Sequence, residues 1–184
     1  GTLRCRHALC GASTELRAVA GIPGPQALLL ALTAAGALFS LVDTPYPALA
    51  PLQNLPTLVI VASLWLALRR WPLPTSAVVC VTLFMALHTI GGRYIYSNVP
   101  YEAWLATLGL PSIDHAFGLP RNSWDRLVHF SFGALWVWPI ACWLSRHRGL
   151  SLGLATYIAV ELAVRSTKSS NGSSRSSWPD RTPM

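Results

Sequence analysis

Five apolar runs, at about residues 26–42, 55–68, 75–90, 127–144 and 150–164, fill most of this chain and leave little polar sequence between them. A helix that crosses a bilayer needs about 20 mainly apolar residues, within a range of about 17 to 25. Four or five of the runs approach that length, the fifth being the anomaly because it stops at Val164 after fifteen residues, and most end at a recognisable stop. Asp43, Thr44 and Pro45 close the first; Arg69, Arg70, Trp71 and Pro72 close the second. Gly91 and Gly92 are read as ending the third, and Arg146, His147 and Arg148 as ending the fourth. The second and third are short and borrow interfacial residues such as Trp71. Charged residues make up only 11% of the chain, and AVILMFWYC residues 52%. Soluble domains carry about 25% charge. The pattern predicts an all-α, polytopic transmembrane helical bundle of about five helices over residues 26–164.

Fourteen Lys plus Arg against seven Asp plus Glu give a formal charge of +7. Such an excess suits nucleic acid, anionic lipid or topology bias. Here the basic residues flank apolar runs in pairs and do not interleave with aromatics, so topology bias is the reading and no nucleic-acid partner is expected. Arg4, Arg6 and Arg17, then Arg69 and Arg70, then Arg146 and Arg148 fall on one side of an up-and-down layout. That side is expected to be cytoplasmic, with the N-terminus inside. The opposite side takes the loop at 43–54 and the long loop at 93–124, whose Tyr94, Tyr96, Tyr101, Trp104 and Trp124 suit the headgroup level.

The basic segment 1–25 followed by an apolar run imitates a signal peptide, and Ala-Leu-Ala at 48–50 offers a cleavage-like motif. Pro51 directly after it favours a retained first span. Cys5, Cys10, Cys80 and Cys142 form no CxxC pair and no zinc spacing, so no disulfide framework is read. The last two sit in apolar runs, where a thiol acts as a small hydrophobe.

The polar exception is RNSWDRLVHFSFG at 121–133, at the mouth of the fourth run. On a helix Asn122, Asp125, Arg126 and His129 fall at i, i+3, i+4 and i+7 and share one broad face. Asn122 suits the N-cap, with Asp125 at N3 favoured by the helix dipole. Ionisable groups entering a span are costly, and they are generally paired or functional. Asp125 and His129 form an i, i+4 pair in which a carboxylate would orient an imidazole, as a general base or a metal ligand requires. Arg121 or Arg126 would clamp an anion. A buried ion-pair network holding the third and fourth helices together is the structural alternative, at even weight.

His88, in the last turn of the third helix, reaches the same side and suits a helix C-terminus as well as a ligand role. Tyr94 and Tyr96 lie two apart, so in an extended segment both would point the same way, into the site or into the aromatic belt. Two histidines and one aspartate are too few to define a metal centre, so none is assigned and the cofactor is left open. Gly91 and Gly92 lack any phosphate-loop context, and no nucleophile elbow is present. Glu161, midway along the fifth run, has no evident role.

With these residues laid out, the chain resembles the YjdF-type inner-membrane proteins, a bacterial family of unknown function. The likeness rests on LHTIGGRYIYSNVP at 87–100 and FGLPRNSWDRLVHFSFG at 117–133, and spans about residues 26–164. A weaker likeness links DRLVHF at 125–130 to the D-K-x-x-H-F motif of VanZ-like membrane proteins. The resemblance implies a bundle of about six helices, with further acidic residues after the fifth. This chain departs from that pattern after about Val164, and a reading-frame shift there is the expectation. The Ser-rich, basic tail at 165–184 has the composition of disorder. Three function classes follow: an enzyme acting on an envelope or lipid-linked substrate, a small-solute transporter or binding protein, and a structural or assembly protein. Oligomeric state is left open.

Overall fold

Thr75–Tyr94 is the helix the others are arranged around. The computed structural model describes residues 21–119 and 121–172, with side chains to residue 165. The expectations for the first twenty residues, including Cys5 and Cys10, and for the end of the tail lie outside the described residues. Among the described residues there are five long helices, two short ones and no strand: α1 Gly24–Phe39, α2 Ala50–Arg70, α3 Thr75–Tyr94, α4 Tyr101–Thr107, α5 Ile113–Ala116, α6 Trp124–Arg148 and α7 Leu152–Gly172. Helices α1, α2 and α6 pack on α3, and α7 packs chiefly on α6.

Three of these, α2, α3 and α6, are long and apolar enough to cross a membrane, and α1 is a shorter apolar helix. Their outward residues are large and apolar: Leu28, Leu32, Leu52, Leu66 and Phe130 are each at least 60% exposed. In water so extensive an apolar surface would be a liability, whereas in hydrocarbon it is the expected lipid face. The fold is an all-α membrane bundle.

At one end, called here the basic end, the α2–α3 turn is held from both sides. Gln26, only 3% exposed, donates from Nε2 to the Leu73 carbonyl at 3.0 Å and to Thr75 Oγ1 at 3.3 Å. On the other flank His147 Nε2 lies 3.3 Å from the Pro72 carbonyl, and Trp71 meets Trp143 edge-on at 6.4 Å. Arg148 lies over the Trp143 ring at 5.2 Å. Between α6 and α7 the contact is made by Ala141, Ala155 and Ala159, all fully buried. Small side chains bring helix backbones close, so dispersion replaces a hydrophobic drive that lipid cannot supply.

The helix ends depart from the apolar runs in an instructive way. The first helix ends at Phe39, short of Val42, and the second begins at Ala50, because Pro51 is tolerated in a first helical turn. The third passes through Gly91 and Gly92 and ends at Tyr94. Those glycines are therefore not a helix stop; they are points of close approach. The stop is Ile95, at φ 53°, followed by Tyr96 at φ 44°. The sixth helix begins at Trp124 and ends at Arg148, capped by Gly149 at φ 69°, the usual left-handed glycine cap. Helix α7 continues to Gly172, past Val164 where its apolar run ends. Glu161 finds an intrahelical partner there, Arg165 at 3.8 Å.

Candidate functional site

The end opposite the basic end carries the C-terminus of α3, the start of α2 and the start of α6. Asn54 and Thr57 are one turn apart on α2 and are 1% and 0% exposed. Thr57 Oγ1 lies 3.2 Å from His88 Nδ1 on α3. Asn54 donates from Nδ2 to the Ala50 carbonyl, while its Oδ1 is buried with no hydrogen-bond partner among the described residues. Pro56 sits between them inside α2 and has no N–H for the Leu52 carbonyl, so the helix ladder is open at this level. Neither Asn54 nor Thr57 stands out in the sequence. Each is a single polar residue in an apolar run, and only the α3 groups that face them, His88 for Thr57 and Gly92 for Asn54, single them out.

Gly92 makes this approach possible. A Cβ there would lie 3.0 Å from Asn54 Nδ2, tighter than ordinary contact. Gly91 does the same for Tyr96, since a Cβ would come within 2.6 Å of the ring carbons Cδ1 and Cε1. The left-handed turn after α3 folds Tyr96 back along the helix, with its N–H bonded to the Gly91 carbonyl at 2.7 Å. Its ring then stands edge-on to His88 at 5.7 Å and 87°. Burial and, after it, the negative charge of Asp125 push the Tyr96 phenol up to about 12 from its ordinary 10.0. Desolvation and a nearby anion both disfavour phenolate.

Asp125 Oδ1 lies 3.3 Å from His129 Nε2, the i, i+4 pair expected from the sequence. The His129 side chain is 62% exposed and that of Asp125 45%. The pair lies wholly within α6, so it cannot be the ion-pair bridge between α3 and α6. Those helices are joined instead by Phe84, which meets Phe132 at 5.5 Å and Trp136 at 6.1 Å, and by the Trp124 indole donating to the Leu87 carbonyl at 3.3 Å.

The remaining expected residues separate. Asn122 is tied to its own loop and to the start of α6: Nδ2 donates to the Val99 carbonyl at 2.6 Å, and Oδ1 accepts from the Trp124 N–H at 3.1 Å. The N-cap position itself is Ser123, one residue later than expected, which puts Asp125 at N2. Arg121 and Arg126 are exposed at the same end and are not part of the buried cluster. Tyr94 leaves the site, because it ends a helix and does not lie in an extended segment with Tyr96. Its ring packs on Trp104 at 5.9 Å and under Arg93 at 5.7 Å. Among the described residues no three His, Cys, Asp or Glu side chains converge as metal ligands would.

The connection from α3 to α6 closes over this end through its own hydrogen bonds. Glu102 accepts from the Ile113 and Asp114 N–H groups at 3.0 and 2.9 Å. The Tyr101 hydroxyl donates to the Asp114 carboxylate at 2.6 Å and accepts from the Ser123 N–H at 2.8 Å. That joins the long loop to the start of α6 and fixes where Asp125 emerges. Burial first, and then the bond to Asp114, raise the Tyr101 phenol above its ordinary value.

No curated protein and no solved structure matches the chain. A family model described as "Predicted membrane protein (DUF2238)" matches residues 25–166, which include α1, α2, α3, α6 and the first part of α7. Both motifs that carry the cluster, at 87–100 and 117–133, lie inside that match. The chain belongs to the DUF2238 family of predicted membrane proteins.

Proposed function

We propose that this is a bacterial inner-membrane protein, N-terminus cytoplasmic, whose outer-face site acts on an envelope or lipid-linked substrate. The observation that carries the reading is the arrangement of polar groups from outside inward. The Asp125–His129 pair is open to the surroundings, Tyr96 lies within the field of Asp125, and Asn54, then Thr57 with His88, follow into the apolar bundle. A carboxylate on Nε2 of His129 holds the proton on that nitrogen and leaves Nδ1 as the acceptor, the form a general base needs. Arg121 and Arg126, exposed at the same end, supply cations for a phosphate or carboxylate. The buried, unpartnered Oδ1 of Asn54 is an acceptor for a substrate donor or a bound water.

A purely structural role for the pair is disfavoured by its exposure. An exposed i, i+4 ion pair contributes only about 0.3–0.5 kcal/mol. The small-solute reading takes the same groups as a binding path and differs in leaving the substrate unchanged.

The test is lipid turnover by protein reconstituted in vesicles of bacterial membrane lipid. His129→Ala and Asp125→Asn are expected to lower turnover by about a hundredfold or more, the usual contribution of a general base, with an unchanged thermal midpoint. Unchanged turnover, or loss of the folded protein in both variants, overturns the reading; bound but unaltered lipid-linked substrate favours binding or transport. Orientation is read separately. In a cysteine-free background, Ser97→Cys is expected to react with a membrane-impermeant thiol reagent in intact cells, and Ser151→Cys is not.

A further inference from the structure

A second feature lies at the same end on a different side of α3. Between α1 and α3, beneath α4, is a recess of about 430 Å³. Leu32, Gly36 and Phe39 of α1, Ile90 of α3 and Trp104 of α4 form its apolar walls. His88 packs elsewhere, on Thr57, Phe84 and Tyr96, so the recess is not part of the cluster described above.

Four polar residues interrupt the apolar lining, and two of them, Thr33 and Ser40, spend their hydroxyls on the Leu29 and Ala37 carbonyls of α1; Thr89 and Arg93 differ. Thr89 is 8% exposed, and its hydroxyl is buried with no hydrogen-bond partner among the described residues. One helical turn further, Arg93 donates from Nη1 to the carbonyls of Ser40 at 2.7 Å and Val42 at 2.8 Å, and from Nη2 to that of Asp43 at 3.1 Å. All of these acceptors are neutral. Among the described residues no carboxylate lies within ion-pair range of Arg93, the Asp43 side chain included. A guanidinium has five N–H donors, so Arg93 keeps free donors and an uncompensated charge at the recess.

We propose that this recess binds an anionic phospholipid, with one acyl chain along α1 between Phe39 and Leu32 and the phosphate at Arg93. The volume falls within the range of small-molecule sites, about 300–1,000 Å³, and suits one acyl chain, not a whole diacyl lipid. An apolar slot ending at an unneutralised cation selects an amphipath with a negative head. A zwitterionic lipid would bring its own cation to Arg93 and lose most of that attraction. The aromatic rings of Trp104 and Tyr94 beside the guanidinium suit the level at which headgroups meet hydrocarbon.

The experiment compares phosphatidylglycerol and phosphatidylcholine with identical chains, counted on the detergent-purified protein by native mass spectrometry. Arg93 itself is a poor position to vary, because it also holds the end of α1. Gly36 is the informative one, since it lines the recess and a Cβ there meets nothing within 4 Å, which leaves a larger side chain the recess to occupy. The wild type is expected to retain phosphatidylglycerol about tenfold over phosphatidylcholine, the factor that corresponds to roughly 1.4 kcal/mol. Gly36→Leu is expected to lose that retention at an unchanged thermal midpoint, and Gly36→Val, if the larger residue impairs folding, to lose part of it. Equal retention of the two lipids by the wild type, or wild-type retention by a folded Gly36 variant, overturns the assignment.

Discussion

Replacing Gly91 by alanine isolates the close approach on which the His88–Tyr96 contact depends. An ideal Cβ at this position falls 2.6 Å from two carbons of the Tyr96 ring and 3.3 Å from the Trp124 indole nitrogen. Carbon atoms rest about 3.5–4.0 Å apart, so the ring would have to retreat by about 1 Å. It has little room to do so. Its backbone is held by the N–H bond to the Gly91 carbonyl, and the His88 ring is its neighbour. Forcing a methyl into such a contact costs about 1–3 kcal/mol. Against this, alanine in a helix interior is favoured over glycine by about 1 kcal/mol. Gly133→Ala supplies the control, because Gly133 is also inside a helix and a Cβ there meets nothing within 4 Å. The two variants are expected to differ by about 1–3 kcal/mol, with Gly133→Ala the more stable. For a chain of this size that corresponds to thermal midpoints roughly 3 to 10 °C apart. The displaced Tyr96 would also leave the field of Asp125, and its phenol would titrate nearer its ordinary value. Equal midpoints for the two variants, with the Tyr96 titration unmoved, would refute the reasoning.

The Tyr96 phenol also gives a pH dependence. Its folded value of about 12 lies above the unfolded 10.0, so the folded protein holds this proton more tightly and the associated stability, complete below pH 10, is lost as pH rises towards 12. Chemical denaturation of Tyr96→Phe should show a flatter loss between pH 10 and 12, and Asp125→Asn should shift the phenol titration downward; an unchanged slope in Tyr96→Phe removes the assignment. Tyr101→Phe deletes the bond to Asp114 and the acceptor for the Ser123 N–H. A hydrogen bond to a charged group contributes about 1.5–3 kcal/mol, so a lower thermal midpoint and faster proteolysis between α4 and α6 are expected. Wild-type proteolysis rates would show that this loop is held by other means.

The spans were legible because burial in lipid demands long apolar runs, and the Asp125–His129 pair because i, i+4 spacing survives any packing arrangement. What the sequence hid depends on contacts between helices. Thr57 and Asn54 look like tolerated polar residues until His88 and Gly92 are placed opposite them. Gly91 and Gly92 look like a helix end, since glycine serves equally as a terminator and as a place where another group comes near. Arg126 shares a nominal helix face with Asp125, yet the true buried stripe runs through Trp124, Val128 and Ser131. A face drawn from spacing alone has no fixed centre until a partner helix supplies one.

The central position of α3 has a consequence for how the protein is made. Its partners α1 and α2 precede it in the chain, whereas α6 follows, and α7 leans chiefly on α6. The first three helices can therefore settle against one another while the ribosome is still completing the rest. At that stage the α2–α3 contact that sets Thr57 against His88 is available, whereas Asp125 and His129 have yet to be added. Assembly of the candidate cluster thus waits for α6, and a chain arrested before residue 124 would hold only the part of it that α2 and α3 supply.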